Sequence, residues 1–200
     1  KRLQRAILDK LLEPLGCHPS AHGFVRGRSI LSNASNHVGK PVVVGCDIQK
    51  AFPSTSWRLV RHALTRDLGA VLSKESIGLL IEICCHGGGL PIGAPSSPAL
   101  LNRVLLVADE ILATEAAGKG VSFSRYADDL CFSGDERALQ MLPVARRVLG
   151  SAGLSLDPKK TNIFRKGRRQ VVTGLVVNEQ VSTSRRMRKK LRAAVHRKEL

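Results

Sequence analysis

RYADDLCF, residues 125–132, sets two carboxylates side by side between apolar runs in a chain of formal net charge +16. Aspartate is a poor strand former, and neighbouring carboxylates repel unless something positive sits between them. The stretch reads as two short strands with a turn over residues 127–129, so that both acids are held at the tip of a hairpin. A second run, VVVGCDI at residues 42–48, is a compact β-branched strand bounded by turn residues, with Asp47 at its carboxyl end. If the two segments are neighbours, Asp47 and Asp128 converge with Asp129 close by. Three carboxylates in one small volume are unstable as bare anions and form a hard, oxygen-rich site suited to Mg²⁺. Two such ions, about 3.5–4 Å apart, can activate a hydroxyl and stabilise the leaving oxygen of a phosphoryl transfer. Taken in isolation, an Asp-Asp pair reads more readily as a solvated turn, and it is the surrounding sequence that reverses this.

Working outward, the apolar spacing predicts a helix over residues 1–15 with Leu3, Ile7, Leu11 and Leu12 on one face. A loop carrying HGFVRGRS follows, then a short helix over 29–38, the first strand, and helices over 56–68 and 73–85. Gly87 to Gly89 form a turn, and PIGAPSSP leads into a long helix over 98–117. After the hairpin come a helix over 136–151, three short strands at 154–156, 162–165 and 170–177, and a basic terminal helix. Strand, helix, hairpin, helix, strand is the order of a split βαβ unit. It predicts an α+β fold, an antiparallel sheet with helices on one face. No internal repeat is visible.

Lys plus Arg number 32 against 16 Asp plus Glu, and the sequence pI is about 10.5, which suits a polyanionic partner such as nucleic acid. The charge is uneven: Arg185, Arg186, Arg188, Lys189, Lys190 and Arg192 crowd one segment, although a solvated cationic face would look the same. The five cysteines are irregularly spaced and mostly lie in apolar runs, as buried thiols in a reducing compartment do. Cys17, His18 and His22 lack the second ligand pair that a zinc site needs. No run is long enough to span a membrane and no signal peptide is evident, so a cytoplasmic protein is expected. The chain starts without methionine, already inside a helical pattern, and ends without a helix stop, as a piece of a longer protein would.

YADD at 126–129 and DIQKAFPS at 47–54 together resemble the paired catalytic motifs of reverse transcriptases. HGFVRGRS at 22–29, GLPIGAPSSPALLN at 89–102, GLSLDPKKT at 153–161 and TGLVVN at 173–178 follow in that family's order, so the similarity covers nearly the whole chain. Asn33-Ala34-Ser35-Asn36-His37 matches the NAxxH element of bacterial retron reverse transcriptases, and Val172-Thr173-Gly174 their VTG element. Group II intron and diversity-generating reverse transcriptases share the remaining motifs. The resemblance implies a right-hand polymerase architecture. Residues 1–40 would be partial fingers, 41–55 palm, 56–92 fingers, 93–182 palm with a primer-grip hairpin, and 183–200 the start of a thumb.

On that resemblance Asp47 and Asp128 hold two Mg²⁺ ions, with Asp129 a weaker contributor because consecutive strand residues face opposite ways. The backbone carbonyl of Ile48 completes a coordination sphere, and Lys160 protonates the leaving pyrophosphate, unless it is merely a solvated charge. Phe52 takes the position of the aromatic ring that excludes a ribose 2′-hydroxyl, although a core Phe is the plainer reading. Ile92 and Gly93 fall in the nucleotide-binding loop, where most relatives carry Gln in place of Ile92. An apolar side chain there neither donates nor accepts. Arg26 and Arg28 are candidates for template-backbone contact or ordinary surface charges. Asn33 and His37 either read structured RNA or hold the helix before the catalytic strand, and Thr173 and Gly174 match the primer grip. The implied activity is RNA-directed DNA synthesis from dNTPs on a structured RNA template, yielding an RNA–DNA duplex and branched RNA-linked DNA, with a possible effector protein in phage defence. A non-catalytic polymerase-like RNA-binding module is the alternative outside enzymology.

Overall fold

The computed structural model describes residues 1–183 and 185–196. The N-terminal segment is helical but not one α-helix: α1 (Arg2–Ile7) widens into a π turn at Leu8–Leu12 and tightens into a 3₁₀ turn at Glu13–Leu15. Pro14 has no N–H to continue the ladder, and Gly16 at φ 66 ends it. Ile7 and Leu12 are buried as the spacing predicts, with Leu8, Leu11 and Leu15 packed beside them. Leu3 departs from the expectation at 57% exposure, because the first turn projects past the core.

Helix α2 (Ile30–Ser35) begins with a capping box in which Ser29 and Ser32 each accept the other's backbone N–H. Then come β1 (Val42–Asp47), the single turn α3 (Ala51–Ser54), α4 (Trp57–Leu68), α5 (Lys74–Cys84) and the long α6 (Ser97–Ala117). Ser56 and Ser73 cap α4 and α5 through their hydroxyls. The hairpin β2 (Ser122–Tyr126) and β3 (Asp129–Gly134) leads through a 3₁₀ turn into α7 (Met141–Ser151), then β4 (Asn162–Arg165). The four strands form one antiparallel sheet in the order β2-β3-β1-β4, with β1 between β3 and β4, which is the split βαβ arrangement. Residues 154–156 contribute a single bridge, Leu156 to Ile48, instead of the expected strand. Residues 170–177 fold back on themselves as β5 (Val171–Val172) and β6 (Leu175–Val176) instead of running straight, because Thr173 (φ 46) and Gly174 (φ 83) make a left-handed turn. With β7 (Ser182–Thr183) they form a second, three-stranded sheet. The basic helix α8 (Arg185–His196) closes the described chain.

Alternation along the central strands divides the core. Val42, Val44, Cys46, Leu130 and Phe132 point toward α4 to α7 and pack with Val60, Leu64, Leu101, Leu105 and Leu149. Val43 and Cys131 point the other way, onto Ala34 of α2 and onto Val172 and Val177. The sheet is therefore covered on both faces, which corrects the expectation of helices on one face alone. Gly45 and the apolar run around it carry no hydrophilic face that would suit water.

Candidate active site

The hairpin that carries the two acids turns more tightly than expected. Tyr126 pairs with Asp129, so the loop is the two residues Ala127 and Asp128, and Asp129 is already the first residue of β3. The register of β1 on β3 sets Asp47 directly opposite Asp129. The amide of Ile48 donates to the Asp128 carbonyl at 3.0 Å, which ties the turn to the end of β1. All three carboxyl-bearing residues thus meet at one corner of the sheet. Strand alternation separates Asp129 from Leu130 but not from Asp128, which lies in the turn where the rule has no force.

Electrostatics mark the corner as a place that wants positive charge. Burial pushes the Asp129 carboxyl up to about 6, with Asp128 and Asp47 adding repulsion and Asp47 accepting a hydrogen bond from its protonated form. Asp128 is raised too, by burial first and by Asp47, against the pull of its own backbone N–H, Lys160 and Arg125. The Lys160 ammonium lies 2.9 Å from Asp47 Oδ1 and half out in solvent. A cation thus already stands against the acids. The turn at residues 158–160 that delivers it begins with Asp157, whose carboxylate accepts the Lys159 amide and whose own amide donates to the Asp47 carbonyl at 2.8 Å. Among the described residues no three His, Cys, Asp or Glu side chains are pre-arranged as a metal cage. The chemistry of the donor set nonetheless fits a hard divalent cation: carboxylates whose charge is disfavoured by burial and by one another gain a counter-charge from an oxygen-seeking ion.

The remaining candidates divide. Ile48 is wholly buried, and Phe52 is half-buried on α3 against the main core, its carbonyl accepting the Leu90 amide at 3.1 Å. Gly89 packs so closely on this turn that a Cβ there would lie 2.3 Å from the Pro53 carbonyl, so the loop at 87–92 is fitted to the segment following Asp47. Ile92 is 82% exposed and Gly93 is exposed at φ 79. Gly93 and Arg26 line a cleft of about 810 Å³, together with Arg5, Phe24, Pro95 and Asn102. The acids are not part of that cleft.

Arg28 turns one terminal guanidinium nitrogen onto the carbonyls of His18, Pro19 and Ala21, so it braces its own loop. Asn33 and His37 resolve in favour of the structural alternative. His37 is wholly buried between Ser124 and Ser133, 2.7 Å from each hydroxyl, and Ser124 in turn donates to Asn33. They clamp α2 to β2 and β3, out of reach of RNA. Thr173 holds the Ile30 carbonyl, and Gly174 is exposed at the hairpin tip.

Three residues that spacing did not single out surround the acid-bearing turn. Arg125, wholly buried, forms a bidentate pair with Asp109 of α6 and also reaches Asn102 and the Ala127 carbonyl. Asn102 and Asp109, seven apart on α6 and hence on one face among its buried leucines, were the available signal. Residues 20–23 run beside β2, bonded to Arg125 through the Ser20 carbonyl and His22 amide at 2.7 Å each, and cover the sheet's edge. At Gly23 a Cβ would stand 2.2 Å from the Ala127 nitrogen, so only glycine lets this loop back the turn.

Residues 1–183 match the family model described as reverse transcriptase (RNA-dependent DNA polymerase). Among curated proteins the chain is 41% identical to the retron Mx65 reverse transcriptase and 38% to the retron Mx162 reverse transcriptase, both of Myxococcus xanthus. It is 33% identical to the retron Ec86 reverse transcriptase of Escherichia coli. Each match covers 98% of this chain but only 50%, 47% and 61% of those relatives, so the chain spans about half their length. Among solved structures it resembles the apo telomerase of Candida tropicalis, with TM-score 0.61 and 13% identity over 92% of this chain and 44% of that one. It also resembles the telomerase of Candida albicans, at TM-score 0.58 over 92% and 37%. At that identity the likeness speaks for the fold alone, a right-hand polymerase arrangement of mixed helix and sheet.

Proposed function

Because the chain belongs to the reverse transcriptase family, with retron enzymes among its relatives, we propose that it is the catalytic portion of a retron-type RNA-directed DNA polymerase. The observation that carries this reading is the corner where Asp47 and Asp129 face each other in register, Asp128 occupies the turn, and Lys160 stands on Asp47. In the division we propose, residues 41–55 and 93–182 form the palm, 1–40 and 56–92 contribute to the fingers, and α8 begins the thumb.

The reaction is attack of a primer hydroxyl oxygen on the α-phosphorus of a dNTP. One P–O bond forms, the bond to pyrophosphate breaks, and the hydroxyl proton is lost to solvent. Mg²⁺ ions held by Asp47, Asp128 and Asp129, with the Ile48 carbonyl, would supply Lewis acidity to the attacking and leaving oxygens. The chain's own residues do the rest. The β1–β3 register fixes the spacing of the carboxylates, and the Ile48 to Asp128 bond keeps the turn from drifting. Lys160, 2.9 Å from Asp47 Oδ1 and half out in solvent, is the chain's own proton donor at this corner and would protonate the departing pyrophosphate. Phe52, on the turn just after Asp47, presents its ring where the sugar of the nucleotide would lie. The template would be a structured RNA, the product branched RNA-linked DNA, and the setting phage defence with an effector protein. No helix among the described residues is long and apolar enough to cross a membrane; we place the enzyme in the cytoplasm.

Primer extension by the full-length protein with Mg²⁺ and dNTPs, against its Asp128→Asn variant, tests the reading. We expect extension by the wild type and a loss of at least about 10²-fold in kcat in the variant, the scale on which removing a charge-stabilising catalytic group acts. Absence of extension by the wild type on any structured RNA template would point instead to an RNA-binding module.

A further inference from the structure

We propose that Arg125 is a positioning residue that sets the direction of Asp128 through the peptide plane between Ala127 and Asp128; the proposal rests on the polymerase reading of the same corner. Arg125 is 1% exposed and its guanidinium is fully engaged. Nε and one terminal nitrogen pair with Asp109 at 2.8 and 2.6 Å, while the other terminal nitrogen reaches Asn102 Oδ1 at 3.0 Å and the Ala127 carbonyl at 2.6 Å.

The last contact distinguishes this from an ordinary buried ion pair. Ala127 sits at φ 57, in the left-handed region that alanine avoids, and no glycine relieves it. Its carbonyl belongs to the same peptide unit as the Asp128 nitrogen. Fixing that oxygen therefore fixes the plane from which the Asp128 Cα and side chain depart. The opposite side is closed as well: Asn102 donates to the Gly23 carbonyl at 3.1 Å, and Gly23 abuts the Ala127 nitrogen. The strained turn is gripped between Arg125 and the loop at 20–23, both anchored to one face of α6. Asp109 holds the guanidinium so that its third nitrogen is shared between Asn102 Oδ1 and the Ala127 carbonyl of the turn. A lysine carries the charge but has no planar fork with which to serve both Asp109 and the carbonyl.

The test uses the full-length protein. Replacing a buried ion pair by apolar side chains is often neutral for stability, so the double variant Arg125→Met, Asp109→Leu removes the grip while sparing the fold. We expect its Tm to stay within about 4 °C of wild type. We expect kcat for primer extension to fall by about 10²-fold, the effect of a displacement near 1 Å at a reacting centre, with the dNTP KM changed by less than about threefold. Arg125→Lys, the second variant if the double one does not fold, should show the same split. A kcat within about threefold of wild type in either folded variant overturns the proposal, since a purely structural pair would leave turnover intact. Should the wild type extend no primer, the polymerase reading fails first, and Mn²⁺ titration without substrate decides the positioning role. Affinity weakened by about tenfold in Arg125→Lys supports it, and unchanged affinity refutes it.

Discussion

At the scale of the residue, the site mixes positions whose burial explains them with positions that stand open. Ile92 is the clearest of the second kind: an isoleucine 82% exposed gives the core nothing, and on the proposed reading, in which its loop binds the nucleotide, its effect falls on substrate and not on folding. Exchanging it for Gln adds a donor and an acceptor at no cost to packing. Ile92→Gln should lower the dNTP KM by about five- to tenfold, one neutral hydrogen bond's worth, with Tm unchanged; steady-state kinetics showing the same KM would refute the reading. Phe52 is half-buried and packs against the main core, so the exclusion role proposed for it has to be separated from packing. Phe52→Ala will cost some stability, so the informative quantity is a ratio. The preference for dNTP over rNTP in kcat/KM should fall by about tenfold or more, while a preserved ratio would reduce Phe52 to a core residue.

At the scale of the element, α2 is fastened to the sheet by a polar clasp beside its small apolar contact at Ala34. His37 between Ser124 and Ser133 is lowered to about 3, chiefly by burial, with His22 and Lys40 adding repulsion. A histidine whose folded value lies below its unfolded 6.5 contributes stability that is complete above pH 6.5. As pH falls below 6.5 the unfolded chain takes up a proton that the folded chain refuses, and stability drops by up to about 1.4 kcal/mol per pH unit until near pH 3. Denaturant melts of wild type and His37→Gln at pH 7 and pH 5 should differ in slope by about one proton, since Gln can still bond both serines and does not titrate. Equal slopes would mean that His37 is not the group being titrated; His22 also lies below its usual value, but it is present in both proteins and cancels.

At the scale of the whole molecule, the surplus of 16 positive charges is not spent on internal pairing. Arg188, Lys189, Lys190 and Arg192 are exposed on α8, and Arg58 and Arg61 both lie about 5 Å from the exposed indole of Trp57. If α8 grips a duplex by its phosphates, RNA–DNA affinity falls with salt, and each charge removed lessens the slope by about 0.7–0.9 log units per log unit of salt. The double variant Arg188→Gln, Lys189→Gln should therefore flatten the slope by about 1.5 in filter-binding or anisotropy titrations; an unaltered slope would make α8 a solvated face.

The sequence by itself determined the α+β order, the long central helix, the hairpin with its acids and the strand that ends in Asp47, because period and turn chemistry are local and survive without neighbours. It also pointed to the acids as one group. Only the tertiary structure decided how they meet: Asp47 opposite Asp129 and Asp128 in the turn, a matter of register between segments some eighty residues apart. The same holds for charged and polar residues whose sequence context looks like surface. Asn33 and His37 resemble RNA contacts as letters, yet packing turns both inward, and Arg125 reads as one more basic residue until α6 supplies Asp109 and Asn102 from elsewhere in the chain. A side chain's hydrogen-bonding capacity is written in its type, but its partner is fixed by the fold, since burial leaves no water to answer it.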